Sequence, residues 1–296
     1  MSIVKFFLSL VGKFLRNILW FPLPHKIYRH LGFMGSYKVK TNTNMITLNN
    51  FRDEISNDIY FSGIYGNYEG HSIRVWEKLC SLAEKSYVFD IGAHNGVYSI
   101  VAANANSEIE IQSFEPHHTS FKRMKKNVAI NNFKNINLHN FAAGEEDGEI
   151  LFYNNIGDNP SGLSSINHNF IDPNASTKKF PVKNLNSLNQ TLFKNFRISV
   201  IKIDIERAEF PLLNSIIDRI IKDRTSVLCE ILDIEMYEKF GNLFHSNIFY
   251  TFLIDDKNKS IKKVKSLSGL NFSSMLGRNV LFTPSDKSLV DALKRI

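Results

Sequence analysis

The sequence predicts an α/β protein built on a mostly parallel sheet with helices on both faces. From about Tyr87, short runs rich in Val, Ile and Phe alternate with longer helix-like stretches, at the spacing of βαβ units. The first run, "YVFDIG", ends in Asp90 and opens onto a turn holding Gly92 and Gly96, as ligand-binding sheets of this kind do. No internal repeat and no linker rich in Pro, Gly or Ser divides the chain. Its 296 residues, 43% of them hydrophobic and 22% charged, suit one large domain with a terminal extension.

The extension is placed at residues 1–60 and the main domain at 61–296. In "MSIVKFFLSLVGKFLRNILWFPLP" the apolar runs are broken by Lys5, Lys13 and Arg16, too early for a spanning helix, and no small-residue cleavage site of a secretory signal follows. Lys5, Ser9, Gly12, Lys13, Arg16 and Asn17 recur at intervals of three and four, giving an apolar helix with a narrow basic stripe. Such a helix could lie in an anionic membrane interface with Trp20 and Phe21 at the headgroups, or pack on its own domain or a second copy in a homodimer. A cytoplasmic location, peripheral to the inner face of a membrane, is the expectation.

Within the main domain, "NGVYSIVAANA" is a helix with Val97, Ile100 and Val101 on one face, "IEIQSFEP" a second strand, and "HTSFKRMKKNVAINN" a basic amphipathic helix. "INLHNFAAG" reads as a third strand and "GEEDGEILFYN" as a turn and strand. "VIKID" and "SVLCEIL" are further strands separated by a helical "AEFPLLNSIIDRIIKD", and "IFYTFLI" and "NVLFTP" lie in the tail. The polar stretch "NIGDNPSGLSSINHNFIDPNAST" is too long for an ordinary connection and reads as a binding loop or lid. Cys80 and Cys229 are too few for a disulfide framework or a Cys-rich metal site and read as small buried thiols in a reducing compartment. The net charge of +7 favours anionic partners without indicating a fold.

The strongest chemical signal is "VFDIGAHNGVYS", residues 88–99. Small residues after the strand let backbone N–H groups and a helix N-terminus approach a ligand closely. His94 stands where the dinucleotide fingerprint has its middle glycine, which counts against a nicotinamide oxidoreductase. Glu115 closes the second strand twenty-five positions after Asp90, where a carboxylate can hold both hydroxyls of a ribose. The combination points to a nucleoside.

With "FEPHHTSFKRMKKNVAINN", "NFAAGEEDGEILFY", "GLSSI", "FPVKNLNSL", "VIKIDIERAE", "VLCEI" and "NVLFTP" following in order, residues 66–284 resemble the FkbM family of S-adenosylmethionine-dependent methyltransferases. The resemblance implies a Rossmann-like class I methyltransferase: a doubly wound, mostly parallel sheet with a last antiparallel strand, here carrying an N-terminal helical extension. It implies S-adenosyl-L-methionine as cofactor. Asp90, Gly92, Ala93 and Gly96 would surround its methionine part, with His94 as a further contact. Glu115 would take the ribose, and Phe141 and Ala142 would flank the adenine.

Methyl transfer to a hydroxyl needs the acceptor oxygen aligned and its proton removed. In "SVIKIDIERAEF" the implied first candidate is Asp204, with Glu206 second, Lys202 holding the carboxylates and Glu230 contributing from the neighbouring strand; Glu209 reads as a first-turn cap. Ser164, Ser165 and His168 in the polar loop suit contacts to a sugar. Two positions depart from the family pattern: Arg207 replaces a glycine and Asn186 an aspartate. Arg207 suggests an anionic acceptor. The expected activity is O-methylation of a sugar hydroxyl in a surface glycan or its precursor. The alternatives are a nucleic-acid (RNA) methyltransferase, suggested by charge but lacking Asn-Pro-Pro-Tyr and Pro-Cys motifs, and a non-catalytic binding protein. No metal-ligand spacing compels a metal, and no nucleic-acid partner is expected.

Overall fold

A computed structural model describes residues 34–154, 176–232, 234–265, 267, 279–293 and 296. The basic-striped N-terminal segment and Ser164, Ser165 and His168 lie outside the described residues.

The described chain opens with an antiparallel hairpin, β1 (Gly35–Lys40) and β2 (Met45–Asn50). Alternation buries Tyr37, Val39, Ile46 and Leu48 on one face. Helix α1 (Glu54–Ser62) starts at Asp53, whose Oδ1 accepts from Ser56 N at 2.7 Å while Arg123 Nη1 donates to Oδ2 at 3.2 Å. Helix α2 (Gly70–Leu82) then delivers the fully buried Trp76 beneath the sheet.

From there strands and helices alternate: β3 (Tyr87–Ile91), α3 (Val97–Ala105), β4 (Glu110–Phe114), α4 (His118–Asn131) and β5 (Ile136–His139). Next come β6 (Ala142–Gly144), β7 (Gly148–Asn154), β8 (Ser176–Asn184) and α5 (Leu185–Thr191). The chain continues through β9 (Ile198–Ile203), α6 (Glu209–Ser215), α7 (Ile217–Asp223), β10 (Ser226–Glu230) and α8 (Ile234–Leu243). It ends in β11 (Phe249–Asp255), β12 (Ser260–Val264), β13 (Asn279–Pro284) and α9 (Lys287–Leu293). Among the described residues no helix is long and apolar enough to cross a membrane.

The main sheet has the order β12-β11-β13-β10-β9-β3-β4-β5. Strands β10, β9, β3, β4 and β5 pair in parallel, and the last strand, β13, runs antiparallel between β10 and β11. This is the doubly wound sheet with an antiparallel last strand that the sequence predicts; the edge strand β12 adds a third antiparallel pairing, to β11. Alternation splits the core into two layers. Val88, Ile111, Val200 and Leu228 face α2 and α3, while Phe89, Ile91, Ile201, Ile203 and Cys229 face α6, α7 and α8. Cys80 and Cys229 are buried and unpaired, one in each layer.

Three elements differ from the sequence reading. Residues 35–50, placed in a helical extension, form the β1–β2 hairpin, whose alternating Tyr37, Val39, Ile46 and Leu48 join the core of the main domain. "INLHNFAAG" is two strands, because the chain leaves the main sheet at Asn140, whose Nδ2 donates to the carbonyls of Glu115 and Pro116 at 2.9 and 3.1 Å. The second piece, β6, joins β8 and β7 in a separate three-stranded sheet. "AEFPLLNSIIDRIIKD" is two short helices broken at Ile216, where Ser215 Oγ bonds back to the Leu212 carbonyl at 2.7 Å.

Candidate active site

Parallel pairing brings the carboxyl ends of β3, β4, β5, β9 and β10 to one edge of the sheet, the edge at which open α/β sheets bind ligands. A cavity of about 480 Å³ opens there, within the usual range for a small-molecule site. Of the residues singled out in the sequence, Gly92, Ala93, His94, Glu115, Ala142, Lys202, Asp204 and Glu206 line it.

The others stand around it. Asp90 is fully buried behind the glycine turn; its Oδ2 accepts from Ser99 Oγ at 2.5 Å, and its Oδ1 has no hydrogen-bond partner among the described residues. Burial raises its pKa, against the pull of the Lys202 ammonium. Gly96 packs against Met124, and Phe141 packs on Phe114 with ring centroids 5.8 Å apart. Asn186 is exposed on α5. Glu230 ends β10, one residue past the Cys229–Ile203 pairing with β9 and so beside the strand tip that carries Asp204.

At one end of the cavity Glu115 is held by backbone: His94 N donates to Oε2 at 2.8 Å and His117 N to Oε1 at 2.7 Å. Burial pushes its pKa up to about 8 despite these bonds. His94 has φ +49, and neither of its buried ring nitrogens has a hydrogen-bond partner among the described residues. Burial lowers its pKa, so the imidazole is neutral.

At the other end, period-two alternation explains why the charged groups meet. Lys202 stands opposite Asp90 on β3 and Leu228 on β10, so these residues share the α3 face of the sheet. Two residues on, Asp204 and Glu230 fall on the same face. Lys202 Nζ donates to Asp204 Oδ2 at 3.1 Å and lies 4.9 Å from the centre of the Tyr98 ring. The Lys202 side chain is 6% exposed and that of Asp204 25%, so the acid faces the cavity and the base supports it from behind. Burial alone would lower the Lys202 pKa, but Asp204, Asp90 and Glu69 outweigh it and keep the ammonium charged. Burial likewise opposes ionisation of Asp204, and Lys202 prevails and holds its pKa low. Burial together with the Asp204 and Glu69 charges lifts the Glu230 pKa to about 9.

Beyond Asp204 the backbone turns through two left-handed residues, Glu206 at φ +55 and Arg207 at φ +84. Glu209, the first residue of α6, fixes the turn by accepting from Ile205 N at 2.9 Å and Arg207 N at 3.2 Å. The family's glycine therefore occupies a position whose φ favours glycine, and Arg207 adopts it at a conformational cost. Arg207 is not among the residues lining the cavity. Arg207→Gly is expected to unfold at no lower denaturant concentration than the parent, whereas Arg207→Val, β-branched at positive φ, should lose roughly 1–3 kcal/mol. Equal midpoints for the two variants would contradict this account.

Several participants escape a reading of the sequence. Tyr68 lines the cavity, and Glu69, at φ +40 before α2, accepts from Tyr98 Oη at 2.9 Å and from Asn279 Nδ2 at 3.3 Å. The turn joining β6 to β7 lines the cavity with Glu145, Glu146 and Asp147, and β7 adds Glu149. With Glu115, Asp204 and Glu206 below, the cavity is acidic, although the chain as a whole is basic; Lys202 is the lysine among its described lining residues. The "YEG" before α2 carried no periodic or spacing signal, and the acidic turn read simply as a turn.

The model of the methyltransferase FkbM domain matches residues 90–258. Among solved structures, the FkbM methyltransferase of Methylobacillus flagellatus KT is 13% identical with a TM-score of 0.41, covering 67% of this chain and 43% of its own. The chain thus spans less than half of that protein's length. An rRNA methylase of Streptococcus thermophilus is 10% identical with a TM-score of 0.40, over 71% of this chain and 93% of its own. The M. jannaschii TYW2 protein in complex with AdoMet is 10% identical with a TM-score of 0.42, over 86% and 87%. No curated protein matches the chain. The family model spans more than half of the sequence and contains the glycine turn, Glu115 and the β9 tip: the chain belongs to the FkbM family of S-adenosylmethionine-dependent methyltransferases.

Proposed function

We propose that the protein methylates a sugar hydroxyl of a surface glycan or its precursor, with Asp204 as the base. The observation that carries this reading is the placement of the Lys202–Asp204 pair in the same cavity as the backbone-held Glu115. The residues fit the cofactor. Glu115 presents a fixed carboxylate for ribose hydroxyls, the turn at Gly92 and Ala93 exposes backbone for the methionine part, and Asp90 Oδ1 and the His94 nitrogens are buried polar atoms with no hydrogen-bond partner among the described residues. When bound, S-adenosylmethionine supplies an electrophilic methyl group on a positively charged sulfur.

The chain's own residues then have distinct tasks. Asp204, kept ionised by Lys202, accepts a hydrogen bond from the acceptor hydroxyl and afterwards its proton. Tyr68 offers a ring against which the apolar face of a sugar can lie, and Glu206 is a further hydrogen-bond acceptor at the rim. The acidic lining supports a neutral sugar at the reacting end over an acidic one, and it counts against RNA, whose phosphates such a cavity repels. The test is methyl transfer from labelled cofactor to glycan and RNA fractions of the source cells. Base-stable label in the glycan fraction is expected; label confined to RNA would overturn the reading.

A further inference from the structure

The Lys202 ammonium has several N–H donors but a single hydrogen-bond partner among the described residues, Asp204 Oδ2 at 3.1 Å. Its second hold is the Tyr98 ring, whose centre lies 4.9 Å from Nζ. Where Lys202 aims therefore depends on how that ring is fixed. We infer, on the reading of Asp204 as the base, that Glu69 is a positioning residue for methyl transfer: it grips the Tyr98 phenol and so keeps the Lys202 ammonium against Asp204.

The buried Tyr98 is held at both ends. The Trp76 ring meets the Tyr98 ring edge to face with centroids 5.8 Å apart, and Trp76 Nε1 donates to the Tyr98 carbonyl at 2.9 Å. Those contacts hold the backbone and the body of the ring. The phenol end is held by Glu69, whose Oε2 accepts from Tyr98 Oη at 2.9 Å while its Oε1 accepts from Asn279 Nδ2 at 3.3 Å.

Glu69 is itself locked in place. Its backbone is left-handed, φ +40, a conformation that persists in a residue with a side chain only where the surroundings impose it. They do so on both sides. A Cβ on Gly70 would lie 2.3 Å from the Tyr65 carbonyl carbon, so the turn closes tightly. Asp256, just past β11, caps α2 by accepting from His71 N and Ser72 N, each at 2.8 Å, and from Ser72 Oγ at 2.6 Å. Asn279 opens β13 directly opposite Glu230 of β10. Glu69 thus joins the turn before α2 to α3 and β13, around the strand tips that carry the chemistry. Asp204 and Asp90 act on the Lys202 charge more strongly than Glu69 does, so the task of Glu69 is the bond to Tyr98.

The test compares full-length Glu69→Ala, Glu69→Gln, Tyr98→Phe and the Glu69→Ala/Tyr98→Phe double variant, with labelled S-adenosylmethionine and the glycan fraction as acceptor. Glu69→Ala should lower the rate at saturating cofactor roughly 10- to 100-fold, with the calorimetric dissociation constant of S-adenosylhomocysteine within about threefold of the parent's. Glu69→Gln should keep the rate within about threefold, because its amide oxygen still accepts from Tyr98 and the Asn279 amide can turn over to accept from the new N–H. The double variant should be no slower than the slower single, since both act through one bond. Losses that multiply, a Glu69→Ala rate within about threefold of the parent's, or Glu69→Gln as slow as Glu69→Ala would overturn the inference.

A second readout needs no turnover. The Lys202 ε-methylene protons, shielded by the Tyr98 ring, are the lysine signal absent from the spectrum of Lys202→Arg. They should move downfield in Glu69→Ala and stay in place in Glu69→Gln; an unmoved signal in Glu69→Ala would overturn the inference. Should Glu69→Ala not fold, Tyr98→Phe decides, since it keeps the ring on Trp76 and loses the grip: a rate loss of roughly tenfold supports the inference, and an unchanged rate refutes it. An Asp204→Asn rate near the parent's would overturn the base and the inference with it. With that rate lost as expected, failure at Glu69 counts against the inference alone.

Discussion

Asp204→Asn is expected to lower the methyl-transfer rate by roughly 10²–10⁴-fold at saturating cofactor, while the affinity for S-adenosylhomocysteine changes far less. Asparagine keeps the shape of the side chain and can still accept from Lys202 Nζ, now 3.1 Å from Asp204 Oδ2. What it cannot do is take a proton from an acceptor hydroxyl or supply the charge that balances the buried ammonium. Glu230 loses the repulsion of its neighbour, one of the causes that raise it, so its own pKa falls. Any residual rate should thus follow a different pH profile from the parent's. The decisive comparison is the initial rate set beside the calorimetric dissociation constant. A rate within about threefold of the parent would remove Asp204 from the chemistry, since general-base losses are far larger. Loss of cofactor binding in step with the rate would mean that the substitution disturbs the whole β9 tip.

The sheet was legible because hydrophobic runs and turns carry information locally, one element at a time. Val88, Phe89, Ile201 and Ile203 are apolar whichever layer they enter, and the layers observed follow from alternation alone. Lys202, Asp204 and Glu230 could be read as partners because they end adjacent strands of a regular order. Glu69 could not, because it reaches the site through a left-handed turn and through Tyr98 and Asn279, the latter 210 positions away in sequence. The split of "INLHNFAAG" was hidden for a similar reason. Asn140 ends the main-sheet strand through bonds to Glu115 and Pro116 carbonyls, a tertiary choice that strand propensity does not encode. The acidic cavity in a chain of net charge +7 shows the same limit: composition sums over the surface, whereas the site samples a handful of residues.

That dependence on close backbone approach makes Gly92 the most sensitive point of the fold near the site. Gly92 has φ +82, and a Cβ placed there would lie 1.9 Å from the backbone oxygen of Asp204 and 3.0 Å from its carbonyl carbon. Both atoms belong to the β9 tip, which is tied to β3 by the bond from Asp204 N to the Ile91 carbonyl at 3.1 Å. Alanine can be accommodated only by moving that tip. Gly92→Ala should therefore lose stability by about 3 kcal/mol or more, from the left-handed backbone together with the displaced strand end, and should lose activity as Asp204 shifts. Gly96→Ala is the informative comparison. Its φ is nearly the same, +81, but the added Cβ meets the Met124 side chain, at 2.8 Å from Cγ. A methionine side chain can rotate away, so the loss there should be about 1–2 kcal/mol, with the rate largely kept. Denaturant unfolding and initial rates on both variants separate the contributions. Similar losses at the two glycines would mean that backbone conformation alone sets the requirement. A much larger loss at Gly92, with activity falling alongside, would mean that the glycine is there to let the two strand tips touch.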